Sequence, residues 1–225
     1  MVIAFKLINL NPNDWISIVI IAVLSILAIT NFAFENRFRK LFSLPFSKSY
    51  FTLYEKDSPL IFNAFNNMLF VVNLLTFSLM IYFVLDAFNL NISGSSGFKL
   101  YWQILLSLAV FFSLKHFLLK MLNVLILNTR EINKFTFYKL TFRSLTAVLI
   151  VMLLIVVVYS SLNKIVGAYL LLTVTTGFFA FGYVYSSKLV LDKNSNSLLH
   201  IILYLCALEI APFLIYGKYV MNYFV

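Results

Sequence analysis

Six long runs of apolar residues limit the folds available to this chain more than any other feature of its sequence does. A helix needs about 20 predominantly apolar residues to cross the hydrocarbon core of a bilayer, and these runs are continuous rather than alternating, as helices require. We therefore predict an all-α fold, a polytopic transmembrane helical bundle in one domain spanning residues 1–225. The six predicted spans lie at about residues 15–34, 61–85, 100–127, 144–159, 165–185 and 198–216.

The composition excludes most other classes of protein. Hydrophobic residues make up 62% of the chain and charged residues 11%, whereas a soluble domain has about 45–50% and about 25%. The 25 Phe and 13 Tyr exclude a disordered chain, since such chains contain few aromatic residues. Cys206 is the only cysteine and there are two histidines, so we predict neither an intramolecular disulfide nor a metal site, and no cofactor.

The positive charges predict the direction of the spans. Of 17 Lys and Arg residues, those outside the spans number one, five, one, four, one, two and one in successive segments. Cytoplasmic loops carry the excess of Lys and Arg in membrane proteins. We therefore predict a bacterial inner-membrane protein with both termini in the periplasm and basic cytoplasmic loops at residues 35–60, 128–143 and 186–197. The net charge of +9 thus indicates membrane topology rather than nucleic-acid binding.

Two of these basic loops also contain aromatic residues. In the first, Phe38, Leu41 and Phe42 share one face of a short amphipathic helix, as in helices that lie in the headgroup layer. The pattern indicates anchoring to anionic lipid headgroups or docking of a cytoplasmic or membrane partner. The predicted residues for either role are Arg37, Phe38, Arg39, Lys40, Phe42, Arg130, Lys134 and Lys139.

Ionisable residues inside spans are functional candidates by default. Glu209 lies about 16 Å into the sixth span, close to the midplane of a core about 30 Å thick. Lys115 and His116 lie in the third span, and we predict that one of them pairs with Glu209. Pro212 predicts a kink beside that acid. This polar cluster either fixes the packing of the helices or handles protons or ions.

Catalytic signatures are missing from the sequence. There is no nucleophile elbow, zinc-protease motif, phosphate-binding loop or dinucleotide fingerprint, so we predict no enzymatic activity and no catalytic residues.

The sixth run reads Leu203-Tyr-Leu-Cys-Ala-Leu-Glu-Ile-Ala-Pro212. Together with Lys115-His-Phe-Leu-Leu-Lys120 and Phe38-Arg-Lys-Leu-Phe42, it resembles an uncharacterised Bacteroidota family of membrane proteins that is classified as a domain of unknown function. The resemblance covers nearly the whole chain and implies an inner-membrane location. It implies no established activity.

These observations favour a non-enzymatic subunit or assembly factor of a larger envelope complex, with other inner-membrane proteins as partners. The lineage that the resemblance implies connects it with the secretion and gliding machinery of Bacteroidota. The alternative is a small proton- or ion-coupled transporter that uses Glu209 with Lys115 or His116.

Overall fold

The computed structural model describes residues 14–42, 64–89, 97–125, 129–160 and 162–191, and the side chains within them except at 116–125, 129–136 and 186–191. Within these ranges the chain is helical and forms no strand. The helices are α1 (Asp14–Ala33), α2 (Glu35–Phe42), α3 (Ala64–Ala87), α4 (Phe98–Leu125), α5 (Thr129–Tyr159) and α6 (Lys164–Leu191).

Five of the helices are long and apolar enough to cross a membrane. They are all the described helices except α2, which has eight residues. The predicted all-α membrane fold is therefore confirmed for the described part of the chain. The sixth predicted span, at 198–216, lies outside the described residues.

Helices α3 and α5 form the centre of the bundle. α3 packs against α1, α4, α5 and α6, and α5 makes its largest interface with α6. In their most apolar windows, 56% of α3 and 61% of α5 is buried, against 28% of α1, 17% of α4 and 28% of α6. The outer three helices therefore leave most of their apolar surface for lipid or for other proteins.

The ends of the bundle are marked by side-chain contacts. Lys164 at the start of α6 lies 3.0 Å from the Asp86 carboxylate near the end of α3, and the Tyr159 hydroxyl donates to Ser17 near the start of α1 at 2.7 Å. We call this the hairpin end, because α5 and α6 are joined there by residues 160–163. The opposite end, with α2 and the start of α5, is called the basic end.

Helices α5 and α6 form a tight hairpin. Asn163 precedes α6, and its side-chain oxygen accepts a hydrogen bond from the Ile165 backbone at 3.1 Å, as an N-cap residue does. Close to the turn, a Cβ added at Gly167 would collide with Cγ1 of Val157. The absence of a side chain at Gly167 thus lets α5 and α6 approach closely.

An aromatic cluster occupies the hairpin end. Trp15 is its centre, with ring centroids 4.8 Å from Tyr82, 5.2 Å from Tyr101 and 5.6 Å from Phe98. Trp and Tyr are enriched where membrane helices meet the interface. The cluster connects the start of α1, the end of α3 and the start of α4, and so fixes these helix ends against one another.

The structure differs from two of the predicted basic loops. Residues 129–143, predicted as part of the loop 128–143, belong to α5, and α6 continues to Leu191 within the loop predicted at 186–197. The apolar part of α5 begins at Phe137 rather than at 144. Phe137, Tyr138 and Phe142 are buried in the bundle, so packing extends the helix through a stretch whose positive charges suggested a loop.

Candidate functional site

Three cationic side chains converge near the basic end. Lys139 and Arg143 lie one turn apart on α5, and Lys115 approaches them from α4. Lys115, Lys139 and Arg143 are electrostatic neighbours of one another. We call Lys115, Lys139 and Arg143 the cationic cluster. It concentrates positive charge between three helices of a predominantly apolar bundle.

Aromatic rings surround the cationic cluster. The Arg143 guanidinium lies 4.6 Å from the ring centroid of Phe112 on α4 and 5.9 Å from that of Phe70 on α3. The Lys139 ammonium lies 5.8 Å from the Tyr183 ring centroid on α6. Such cation–π contacts contribute about 0.5–1 kcal/mol at exposed sites and about 2 kcal/mol when desolvated. They hold the cations in place but do not neutralise them.

Arg143 retains an unused hydrogen-bond donor. Its Nε atom is buried and has no hydrogen-bond partner among the described residues. A buried donor without an acceptor costs about 1–3 kcal/mol, and more when the group is charged. An anionic acceptor at this position would remove that cost.

The depth of the cluster follows from the helix lengths. Counted from the hairpin end at about 1.5 Å per residue, Arg143 lies about 24 Å along α5 and Lys115 about 26 Å along α4. Phe70 lies about 24 Å along α3 from Asp86 on the same scale. With a hydrocarbon core about 30 Å thick, Lys115 and Arg143 lie about 5 Å inside the boundary at the basic end, and Lys139, about 30 Å along α5, lies at the boundary itself. Arg and Lys side chains reach headgroups from this depth.

Lys115 is the one predicted buried polar residue whose side chain the structure describes. Its electrostatic neighbours are Lys139 and Arg143 of α5. The side chain of His116 is not described, and Glu209 and Pro212 lie outside the described residues. The predicted pairing of Glu209 with Lys115 or His116, and the predicted kink, therefore stay predictions.

The predicted docking residues occupy different surroundings. Arg37 is buried, with its guanidinium 5.1 Å from the Phe65 ring centroid, and Lys139 belongs to the cationic cluster.

Phe38 is half-buried and contacts Phe42, while Lys40 is also half-buried. Arg39 and Phe42 are exposed. The side chains of Arg130 and Lys134, on the first turns of α5, are not described. Thus α2 turns Arg37 and Leu41 toward the bundle and presents Arg39 and Phe42 outward.

Arg143 was not predicted as a site residue. The sequence contained a signal for it, namely two cations spaced four residues apart beside an apolar run. The predicted start of the fourth span at 144 placed this pair in a loop, where helical spacing has no meaning. In the structure the pair lies on α5, next to the buried aromatic residues Tyr138 and Phe142.

A second polar contact lies closer to the middle of the bundle. The Asn73 amide donates to the Leu69 carbonyl at 2.8 Å and to the Ser144 hydroxyl at 3.1 Å. Ser144 in turn donates to the Leu140 carbonyl at 3.0 Å. This hydrogen bond joins the central helices α3 and α5 directly, next to Arg143. Since neither group is ionisable, its role is to fix helix packing.

The fold and the sites together define a polytopic helical membrane protein. Among the described residues, no group of three His, Cys, Asp or Glu side chains comes together that could hold a metal ion. The chain belongs to the family described as Domain of unknown function (DUF4271), whose model matches residues 16–220. No curated protein matches the chain, and no solved structure matches it.

Proposed function

We propose that this protein is a non-enzymatic subunit or assembly factor of a larger complex in the inner membrane of a bacterial envelope. The observation that carries the proposal is the filled interior of the described bundle. Between the cationic cluster and the hairpin end, none of the described residues is charged, and apolar side chains such as Val72, Ile150 and Leu154 fill much of the space. Helices that support a transport path through a membrane contain ionisable groups along it.

The proposed contact surface is the outward face of α2. Arg39 and Phe42 are exposed there, next to a membrane boundary, on a helix that buries Arg37 and Leu41 against the bundle. Arg and aromatic side chains contribute much of the binding energy in protein interfaces. Because α2 is packed against α1 and α5, it presents these side chains in a fixed orientation, which lowers the entropic cost of binding.

The partner in this proposal is another membrane protein of the same complex. Its matching surface combines an apolar pocket for Phe42 with acidic groups near Arg39. The first complex to test is the secretion and gliding machinery of Bacteroidota, to which the family resemblance points.

The test is extraction of the tagged full chain in mild detergent, followed by mass measurement of the purified assembly. We expect a stoichiometric membrane-protein partner with the unmodified chain and with Leu162→Ser, which removes an exposed apolar side chain at the hairpin end. We expect the partner to dissociate with Phe42→Ser or Arg39→Glu at the basic end. Equal retention by all variants would exclude α2 as the contact surface.

The same preparation tests the transporter alternative. A monomer that moves protons or ions in liposomes, and loses this activity with Glu209→Gln, contradicts the subunit proposal. The subunit proposal predicts no such movement above that of empty liposomes.

A further inference from the structure

We propose that Lys115, Lys139 and Arg143 form a binding site for the phosphate group of an anionic phospholipid in the leaflet at the basic end. The site belongs to the described residues of α4 and α5, with Phe70, Phe112 and Tyr183 as its aromatic walls. It is separate from the contact surface proposed on α2.

The chemistry of the site selects a phosphate oxygen. Arg143 offers a buried Nε donor that has no acceptor among the described residues, and the side chains of Lys115 and Lys139 are its electrostatic neighbours. Guanidinium and ammonium groups form charge-assisted hydrogen bonds with phosphate, and these are about twice as strong as neutral ones. A phosphate oxygen beside Arg143 accepts a hydrogen bond from this Nε and has the two lysines as neighbours.

The depth of the cluster selects a lipid as the source of this phosphate. Lys115 and Arg143 lie about 5 Å inside the boundary of a hydrocarbon core about 30 Å thick, and Lys139 lies at that boundary, so that side chains of this length reach the headgroup layer. Basic pockets between helices at this level bind anionic headgroups in membrane proteins. A free anion from water would have to pass the aromatic rings around the site.

The surface of α4 accommodates the rest of a lipid. Leu106, Val110 and Leu114 recur every four residues and are 58%, 59% and 58% exposed, so they form one apolar stripe along the helix. The stripe ends beside Lys115. Helix α4 packs mainly on α3 and touches α5 at few points. An acyl chain lying along the stripe would therefore place its headgroup next to the cluster.

The acidic residues of the chain are the competing source of negative charge. Asp14 and Asp86 lie at the hairpin end, and Glu35 is exposed at the start of α2. The other acids have no described side chains, and Glu209 is the one predicted to reach Lys115. The experiment therefore includes Glu209→Gln, which removes this competitor while it keeps the shape of the side chain.

The first measurement uses the unmodified full chain in a neutral detergent, titrated with phosphatidylglycerol or with phosphatidylcholine. Native mass spectrometry counts the bound lipids, and the midpoint of thermal unfolding is followed in parallel. We expect phosphatidylglycerol to bind at least ten-fold more tightly and to raise the midpoint more than phosphatidylcholine does. Equal binding of the two lipids overturns the proposal, and this comparison depends on no variant.

The second measurement compares matched variants. Arg143→Gln and the double variant Lys115→Gln/Lys139→Gln should lose ten-fold or more of the affinity for phosphatidylglycerol, and Arg143→Lys should lose less. Lys99→Gln, which removes an exposed cation at the other end of α4, should bind as the unmodified chain does. Loss in this control variant as well would show general attraction by surface charge and would contradict a specific site.

Two further arms identify the source of the anion. Inorganic phosphate at millimolar concentration should leave phosphatidylglycerol bound, and displacement would show that the site takes a soluble anion instead. Glu209→Gln should leave the affinity for phosphatidylglycerol within about two-fold. A rise of ten-fold or more would show that the carboxylate of the chain occupies the cluster, and the lipid proposal would then be wrong.

Discussion

At the scale of single residues, Arg143 shows how a cation can be kept within an apolar bundle. Its guanidinium lies against the rings of Phe70 and Phe112 rather than against a described carboxylate. Arg suits this role because its planar charge stacks on aromatic faces and is less strongly hydrated than an ammonium group. Lys at the same position would keep the charge but lose the stacking and the fork of donors, which is why Arg143→Lys is expected to retain only part of the binding.

The Asn73–Ser144 hydrogen bond gives the first prediction about stability. Ser144→Ala leaves one amide hydrogen of Asn73 without an acceptor, which should lower the free energy of unfolding by about 1–2 kcal/mol. The double variant Asn73→Leu/Ser144→Ala replaces both partners by apolar groups and should return to within about 1 kcal/mol of the unmodified chain. Unfolding by sodium dodecyl sulfate in mixed micelles measures both values.

Ser25→Ala is the matched control for this pair. Ser25 is exposed on α1 and donates to the Ile21 carbonyl of its own helix at 2.8 Å, so its loss should change the free energy by less than about 0.5 kcal/mol. If the double variant were as unstable as Ser144→Ala, the cost would arise from lost packing and not from an unpaired amide.

Sequence reasoning reached some of these residues and missed others for a physical reason. Lys115 could be identified because a charge inside an apolar run is conspicuous by itself. Asn73 and Arg143 gain their importance from the residues opposite them, on helices distant in sequence, and no spacing within one helix contains that information. The Asp86–Lys164 contact was missed on the same ground.

At the scale of secondary-structure elements, the pairing of α5 with α6 is controlled by the size of one side chain. Gly167 faces Val157 across the hairpin, and a methyl group there would overlap a β-branched side chain that has little freedom to move. Overpacking of this kind costs about 1–3 kcal/mol. Close contact at the turn is thus part of what keeps the two helices antiparallel and adjacent.

Gly167→Ala should accordingly lower the free energy of unfolding by about 1–3 kcal/mol, measured as for Ser144. Gly177→Ala on the same helix is its matched control, because a Cβ at Gly177 has nothing within 4 Å. There the free energy should stay unchanged or rise by up to about 1 kcal/mol, since Ala favours the helix more than Gly does. Equal effects at both positions would contradict a role for close packing at the hairpin.

The bounds of the helices show how accurately charge and hydropathy predict the ends of membrane spans. The first three spans were predicted to within about three residues of α1, α3 and α4, because each ends where polar or turn-forming residues begin. The fourth was predicted to begin too late, because Lys139 and Arg143 were predicted to lie in a cytoplasmic loop. In the structure their neighbours Tyr138 and Phe142 are buried, and the cations lie against rings. A positive charge marks the end of a span only where no side chain of the bundle packs against it.

At the scale of the whole molecule, the helices alternate in direction between two ends of opposite character. The hairpin end has an aromatic cluster and a surface ion pair between Asp86 and Lys164, and such exposed pairs contribute only about 0–1 kcal/mol. The basic end has the cationic cluster and α2. The alternation of positive charge along the sequence predicted this asymmetry, because consecutive helices must begin and end on opposite sides of the membrane.

This asymmetry gives the last prediction, the orientation of the chain in the membrane. We expect the basic end in the cytoplasm, where anionic lipid headgroups attract Lys and Arg. In a Cys206→Ser background, Leu162→Cys and Lys99→Cys at the hairpin end should react with a membrane-impermeant maleimide in intact spheroplasts. Arg39→Cys at the basic end should react only after the membrane is permeabilised. The reverse pattern would place the cationic cluster in the outer leaflet and both termini in the cytoplasm. The proposed lipid would then have to be drawn from that leaflet, and α2 would have to meet its partner in the periplasm.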